Sequence, residues 1–231
     1  MNYEYGQSAV ATFKRLLKAA QPDVEFVTEQ ATLLNNIDAG AVTQALADAK
    51  PDAIFNVLFS SELGKFVREG NTRGLFKDRK VVLLLTGEPD YLDPLGAEAA
   101  PTGWIVTGYL WYSIDTAANK QFVAAYEAKY HDYPRLGSVV GYSAMMSLAN
   151  GIKKAGTTDP DKLAAAFKGL PVDTPFGPIV YRKQDNQLTM GAYVGVTALK
   201  YGKGVMTSFR YVDGASVQPT DDEVKKLRPA D

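Results

Sequence analysis

Three short stretches of this 231-residue sequence carry residue types from which a binding or reactive site could be built. Ser60-Ser61 follows an apolar run that ends at Phe59, and Gly87-Glu88 follows one that ends at Thr86. Tyr3-Glu4-Tyr5-Gly6 precedes the first helical pattern. Two hydroxyls beside exposed helix N–H groups suit a carboxylate or amide oxygen. The Glu88 carboxylate could receive an ammonium or amide N–H, and the glycine before it lets the chain turn tightly. Tyr5, Phe59, Trp111 and Tyr142 add aromatic surface. Each has a plainer reading: Ser60-Ser61 as a helix cap, Glu88 as a solvated loop acid, Tyr142 as core, Trp111 with Tyr112 as loop packing.

Hydroxyls, one acid and several aromatics describe a cradle for a small molecule better than a catalytic apparatus. The sequence has no G-x-S-x-G nucleophile elbow and no phosphate-binding glycine loop. With no cysteine it excludes disulfides and thiolate chemistry, and with a single histidine, His131, it cannot build a multi-histidine metal site. His131 beside Asp132 at a helix end is explained by the helix dipole. No catalytic residue, metal or cofactor is expected. A net charge of −1 without a basic run argues for no nucleic-acid partner.

The elements that must position these residues alternate through the first half. Apolar residues at Ala9, Val10, Phe13, Leu16, Leu17 and Ala20 have helical spacing. Val24–Val27 reads as a short strand, and 42–49 as a helix closed by Pro51. The runs 53–59, 81–86 and 104–109 read as strands buried on both faces, with a helix over Glu62–Glu69 stopped by Gly70. Strands separated by helices imply a mainly parallel sheet, and ligands then bind beyond its carboxyl ends.

After residue 112 the pattern changes. Helices are expected over 116–130, 137–155 and, from the Asp159-Pro160 start, to Phe167. The second is apolar nearly all round, as buried helices are. The acids Asp90 and Asp93 read as caps in a Pro-rich turn. β-like segments follow at 177–182, 191–199 and 205–212, with a short terminal helix in the polar tail after Pro219. No 18-residue apolar run suggests a membrane span, and no signal-peptide pattern follows Met1.

The stretches NYEYGQSAVATFKRLLK, KPDAIFNVLFSSELGKFVREGNTRGLF, LLTGEPDYLDPL, GWIVTGYLWY, YPRLGSVVGYSAMMSLANGIKKAG and VDTPFGPIVYR…TMGAYVG, taken in order, resemble the Leu/Ile/Val-type and short-chain amide solute-binding proteins. The resemblance implies an α/β, three-layer lobe of the type I periplasmic-binding fold, in which two lobes close on a ligand. It makes 1–108 the second lobe, 109–115 a hinge crossover, 116–170 a helical remnant of an incomplete first lobe, and 171–231 a return to the second. It points to Tyr5, Phe59 with Ser60 and Ser61 beside it, Glu88 and Tyr142 as ligand contacts, with Trp111 added as a binding wall. Phe59 lacks the hydroxyl that a tyrosine supplies in some members.

By the same resemblance the family's N-terminal half-lobe, and the strand before NYEYG, have no counterpart here. The expectation is a periplasmic solute-binding component of an ABC importer, or a truncated remnant of one. It would hold an amino acid, amide or aromatic acid and, if full-length, meet the importer's membrane subunits. The alternative is a truncated or engineered lobe that folds by self-association, as a homo-oligomer such as a domain-swapped dimer, and no longer binds ligand.

Overall fold

The computed structural model describes residues 2–227. The chain forms two compact units, Met1–Gly108 with Val194–Phe209, and Tyr109–Tyr193 with Arg210–Asp231.

In the first unit the order is α1 (Glu4–Ala20), α2 (Ala39–Asp48), β1 (Ala53–Asn56), α3 (Ser60–Thr72), β2 (Lys80–Leu83), α4 (Pro89–Ala99) and β3 (Ile105–Gly108). The three expected strands are β1, β2 and β3, parallel neighbours with Ala53 opposite Lys80 and Val82 opposite Ile105. The sheet continues through β6 (Ala192–Lys200) and β7 (Lys203–Val212), in the order β1-β2-β3-β6-β7. Each of β1 to β3 is shorter than its apolar run, because the last residues of the run turn toward the next helix.

Burial on both faces is not what these strands show. In all three, alternate residues are buried and the others are exposed or half-covered. Ile54, Val81, Leu83 and Val106 are buried in the core with Leu63, Phe66 and Val67 of α3. Phe55 points the other way and stacks on Phe13 of α1, ring centroids 3.8 Å apart. Gly70 does not end α3, which runs to Thr72; a side chain there would meet the Phe76 ring at 2.4 Å.

Two further expectations fail here. Val24–Val27 is irregular chain and belongs to no sheet, since an apolar alternation becomes a strand only beside a partner. The Asp90/Asp93 segment is not a turn but helix α4, started by Pro89 and broken at Gly96, where φ is 64°.

The second unit holds α5 (Ala117–Tyr130), α6 (Leu136–Ala155), α7 (Pro160–Phe167) and an antiparallel hairpin of β4 (Pro171–Thr174) and β5 (Gly177–Val180), then α8 (Asp221–Leu227). Strand β4 has no counterpart in the sequence reading. Thr116 caps α5 by accepting from Asn119 N, and Asp159 caps α7 by accepting from Lys162 N. Helix α6 is not buried all round. Its covered stripe is Val139, Ser143, Ser147 and Gly151, while Val140, Tyr142, Met145 and Leu148 are exposed. Leu170, Val172 and Ile179 form this unit's core with Met146 and Phe167 packed on it.

Candidate ligand-binding site

The carboxyl end of β1 leads into α3 through Val57-Leu58-Phe59. Phe59 occupies the N-cap position, with no side-chain capping bond. Ser60 and Ser61 therefore do not cap α3 from the N-cap position; they are its exposed first residues. Ser60 has φ 56°, a left-handed conformation that a serine holds at a cost of order 1–3 kcal/mol.

A second such turn closes β2. Leu85 has φ 68°. Its N–H donates to Thr107 Oγ1 at 3.0 Å, Gly87 N donates to Thr107 O at 2.9 Å, and Glu88 N donates to Leu85 O at 3.0 Å. A Cβ on Gly87 would lie 2.9 Å from Thr107 O and 2.7 Å from Met206 Sδ. One on Gly108 would lie 2.4 Å from the Gly87 carbonyl carbon. Only glycines allow these two backbones to approach so closely, and the approach sets Glu88 at the N-cap of α4. Glu88 is 2% exposed, so it is not a solvated loop acid.

Aromatic rings surround these turns. Tyr5, in the first turn of α1, meets Phe59 edge-on at 6.1 Å and lies 6.1 Å from Tyr3. Burial raises the Tyr5 hydroxyl above its ordinary pKa, and Tyr3 adds to this. Tyr91 is also raised, by burial first and then by Asp90, Glu88 and Tyr5. Tyr91 thus joins Tyr5, Phe59 and Glu88 in one neighbourhood. Sequence reasoning missed it because its helix was read as a turn. The signal was its position three residues after Glu88, one helical turn along.

Three buried polar atoms lie at or beside the same strand ends. Asn56 Nδ2, Thr86 Oγ1 and Glu62 Oε1 find no hydrogen-bond partner among the described residues. Asn56 Oδ1 is used, accepting from Leu58 N at 2.7 Å. Buried groups of this kind are uncommon and call for an explanation. Aromatic walls with a few buried polar groups at strand carboxyl ends suit a small solute that hydrogen-bonds.

Trp111 and Tyr142 belong to the second unit. Trp111 is half-buried and stacks on Tyr133 at 5.1 Å and 14°. It borders a shallow depression of about 420 Å³ shared with Asn119 and Val123. Tyr142 is exposed rather than core and rests on Phe122 at 4.9 Å. Among the described residues, no acid–histidine cluster could hold a metal ion, and no helix is long and apolar enough to cross a membrane.

A family model described as periplasmic binding protein matches residues 1–200. The Leu/Ile/Val-binding protein homolog 8 of Brucella abortus is 24% identical over 210 residues, 84% of this chain and 47% of its own length. A solute-binding protein of an ABC transporter from Rhodopseudomonas palustris BisB5, solved with 3,4-dihydroxybenzoic acid, is 29% identical with a TM-score of 0.77; the match covers 91% of this chain and 58% of that one. The closed Leu/Ile/Val/Thr/Ala-binding protein of Brucella ovis has a TM-score of 0.78 at 20% identity, over 95% of this chain and 58% of that one. The chain spans about half the length of the curated relatives it matches.

Proposed function

Because the chain belongs to the periplasmic binding protein family, we propose that it is a solute-binding module of an ABC importer that acts in the periplasm and holds its ligand without transforming it. The ligand sits at the carboxyl ends of β1 and β2. The observation that carries this reading is the burial of Glu88 at the N-cap of α4, in one neighbourhood with Tyr5, Phe59 and Tyr91. An acid in that position accepts a hydrogen bond from an ammonium or a phenolic hydroxyl, and the rings flank an apolar or aromatic body. Ser60 and Ser61, at the start of α3, face the ligand's carboxylate or amide end.

The solute is an amino acid, amide or aromatic acid. The aromatic surroundings of Glu88, and the 29% identity to a protein solved with a dihydroxybenzoic acid, favour a hydroxylated aromatic acid. In this reading residues 1–108 form one lobe, 109–115 a crossover and 116–170 part of the other, and within 171–231 it is Val194–Phe209 that returns to the first. Importer membrane subunits are the protein partners.

Calorimetry against leucine, isoleucine, valine, benzoate, 4-hydroxybenzoate and 3,4-dihydroxybenzoate tests the reading. The phenolic acids bind best, and Glu88→Gln weakens them by about 1.5–3 kcal/mol, the worth of a charged hydrogen bond. No binding across the whole panel would overturn it.

A second reading, self-association, draws on the exposed apolar face of α6, where Val140, Tyr142, Met145 and Leu148 are 39–65% exposed. Light scattering that shows a 25.1 kDa monomer at every concentration would remove it.

A further inference from the structure

In the second unit, the loop from Trp111 to Asp115 and one face of α5 enclose the shallow depression of about 420 Å³. Small-molecule sites run from about 300 to 1,000 Å³, so its size suits a compact ligand. Its α5 side is Lys120, Val123, Ala124 and Glu127, spaced i, i+3, i+4 and i+7 and therefore on one helical stripe. Val123 and Ala124 make an apolar floor between two charged ends.

The loop side is aromatic and held in place. Asn119 of α5 donates to the carbonyls of Trp111 and Ile114, and Ser113 N donates to Leu110 O at 2.9 Å. The Trp111 indole lies flat on Tyr133, and Arg135 sits over the Tyr133 ring, 4.7 Å from its centroid. Tyr133 is no part of the wall, so the indole presents to the depression what this stack leaves uncovered. Tyr112 stands edge-on to Trp111, ring centroids 5.6 Å apart at 84°, and is 42% exposed. Two rings nearly at right angles form a corner.

The charges at the two ends are unequal. Lys120 pairs with Asp115, which leaves that end close to neutral. At the other end the Glu127 carboxylate makes no ion pair among the described residues. Glu127 stands in the last turn of α5, where the helix dipole adds negative potential. Lys129 and Arg135 line no part of the depression; Lys129 lies over the Tyr130 ring and Arg135 pairs with Asp132.

We propose that this depression is a second ligand site, and that it takes a small organic cation of the alkylguanidinium class. A guanidinium is planar, stacks on an aromatic face and meets a carboxylate with two parallel N–H bonds. The Trp111–Tyr112 corner supplies the face, Glu127 the carboxylate, and Val123 with Ala124 the surface for the alkyl chain. An aromatic acid would bring its own negative charge to Glu127, so the solute proposed for the β1–β2 end does not suit this site. Glu127 is exposed, which keeps the affinity on the order of 1 mM.

The full chain, isotope-labelled on its two tryptophans, is titrated with n-butylguanidinium chloride at fixed ionic strength and followed through the indole N–H resonances. N-butylurea, neutral and of the same shape, is the control, and Trp111→Phe assigns the two signals. The Trp111 resonance moves and saturates, with a midpoint on the order of 1 mM. The resonance of Trp104, 4% exposed in the other unit, stays in place. Glu127→Gln, at an exposed position, weakens the binding about 3–5-fold, Glu127→Lys abolishes it, and Glu88→Gln leaves it unchanged. No saturation up to about 50 mM, equal shifts with N-butylurea, or an unaltered titration of Glu127→Gln overturns the proposal. So does loss of the response in Glu88→Gln, which would place the cation at the β1–β2 end. Calorimetry that finds no amino acid or aromatic acid bound leaves this site standing, and failure here leaves the solute site standing.

Discussion

Asn119 uses its side chain three times. Its Oδ1 accepts from the hydroxyl of Tyr109 at 2.7 Å, and its Nδ2 donates to the carbonyls of Trp111 at 2.9 Å and Ile114 at 3.1 Å. Tyr109 is fully buried, so these bonds form away from water, where an unmade one is costly. Asn119→Ala is expected to destabilise the chain by about 2–3 kcal/mol in urea unfolding; a loss below about 0.5 kcal/mol would show that water replaces the amide. Gly108 makes a steric argument of similar size. Its Cβ would fall 2.4 Å from backbone atoms of Gly87, which cannot swing aside as a side chain does. Gly108→Ala should cost about 1–3 kcal/mol, and a wild-type urea midpoint would refute the close approach. Neither role was legible in the sequence, where Asn119 is one polar residue in a helix and Gly108 one glycine in an apolar strand. Glu88 was legible as a type; its burial was not.

At the scale of elements, periodicity located α1, α2, α3, α5, α6 and α7, and β1 to β3, because each carries its own apolar pattern or cap. It read α6 as buried all round, where only one stripe is covered. The helix packs its small residues inward: a Cβ on Gly151 would meet the Phe167 ring at 2.6 Å. Phe167 is held edge-on to Tyr181 at 4.8 Å and packs on the Leu170 core. Gly151→Val should therefore destabilise by about 1–3 kcal/mol through overpacking. Met145→Ala, on the exposed face at 65% exposure, should stay within about 0.5 kcal/mol of the parent. Thermal denaturation of both variants checks the assignment, and the reverse ranking would mean that α6 is packed the other way round. α4 escaped notice because its Pro94 and Gly96 read as turn residues. A helix broken at Gly96 tolerates both.

For the molecule as a whole, Tyr5, Tyr91 and Tyr193 have hydroxyls raised above the ordinary tyrosine value, in each case chiefly by burial. The folded state holds these protons more tightly than the unfolded chain does. Their stabilising effect is complete below pH 10 and is lost as pH rises through the folded values. Urea midpoints should fall as pH climbs from 9 toward 11. Tyr91→Phe, which removes one titrating group, should flatten that fall, and an unchanged slope would place Tyr91 in water.

The sequence by itself determined the α/β class, the parallel placement of β1 to β3, the capped helices and the turns after β1 and β2 that carry Ser60 and Glu88. All of these rest on local patterns: apolar period, capping residues and turn glycines within a few positions of one another. Tertiary structure alone decided which face of α6 is covered, that Tyr91 joins Tyr5, and that Val24–Val27, with the alternation of a strand, is not one. These outcomes depend on residues far apart in the chain. A strand is made by its neighbour's backbone, and a buried face by the surface laid against it.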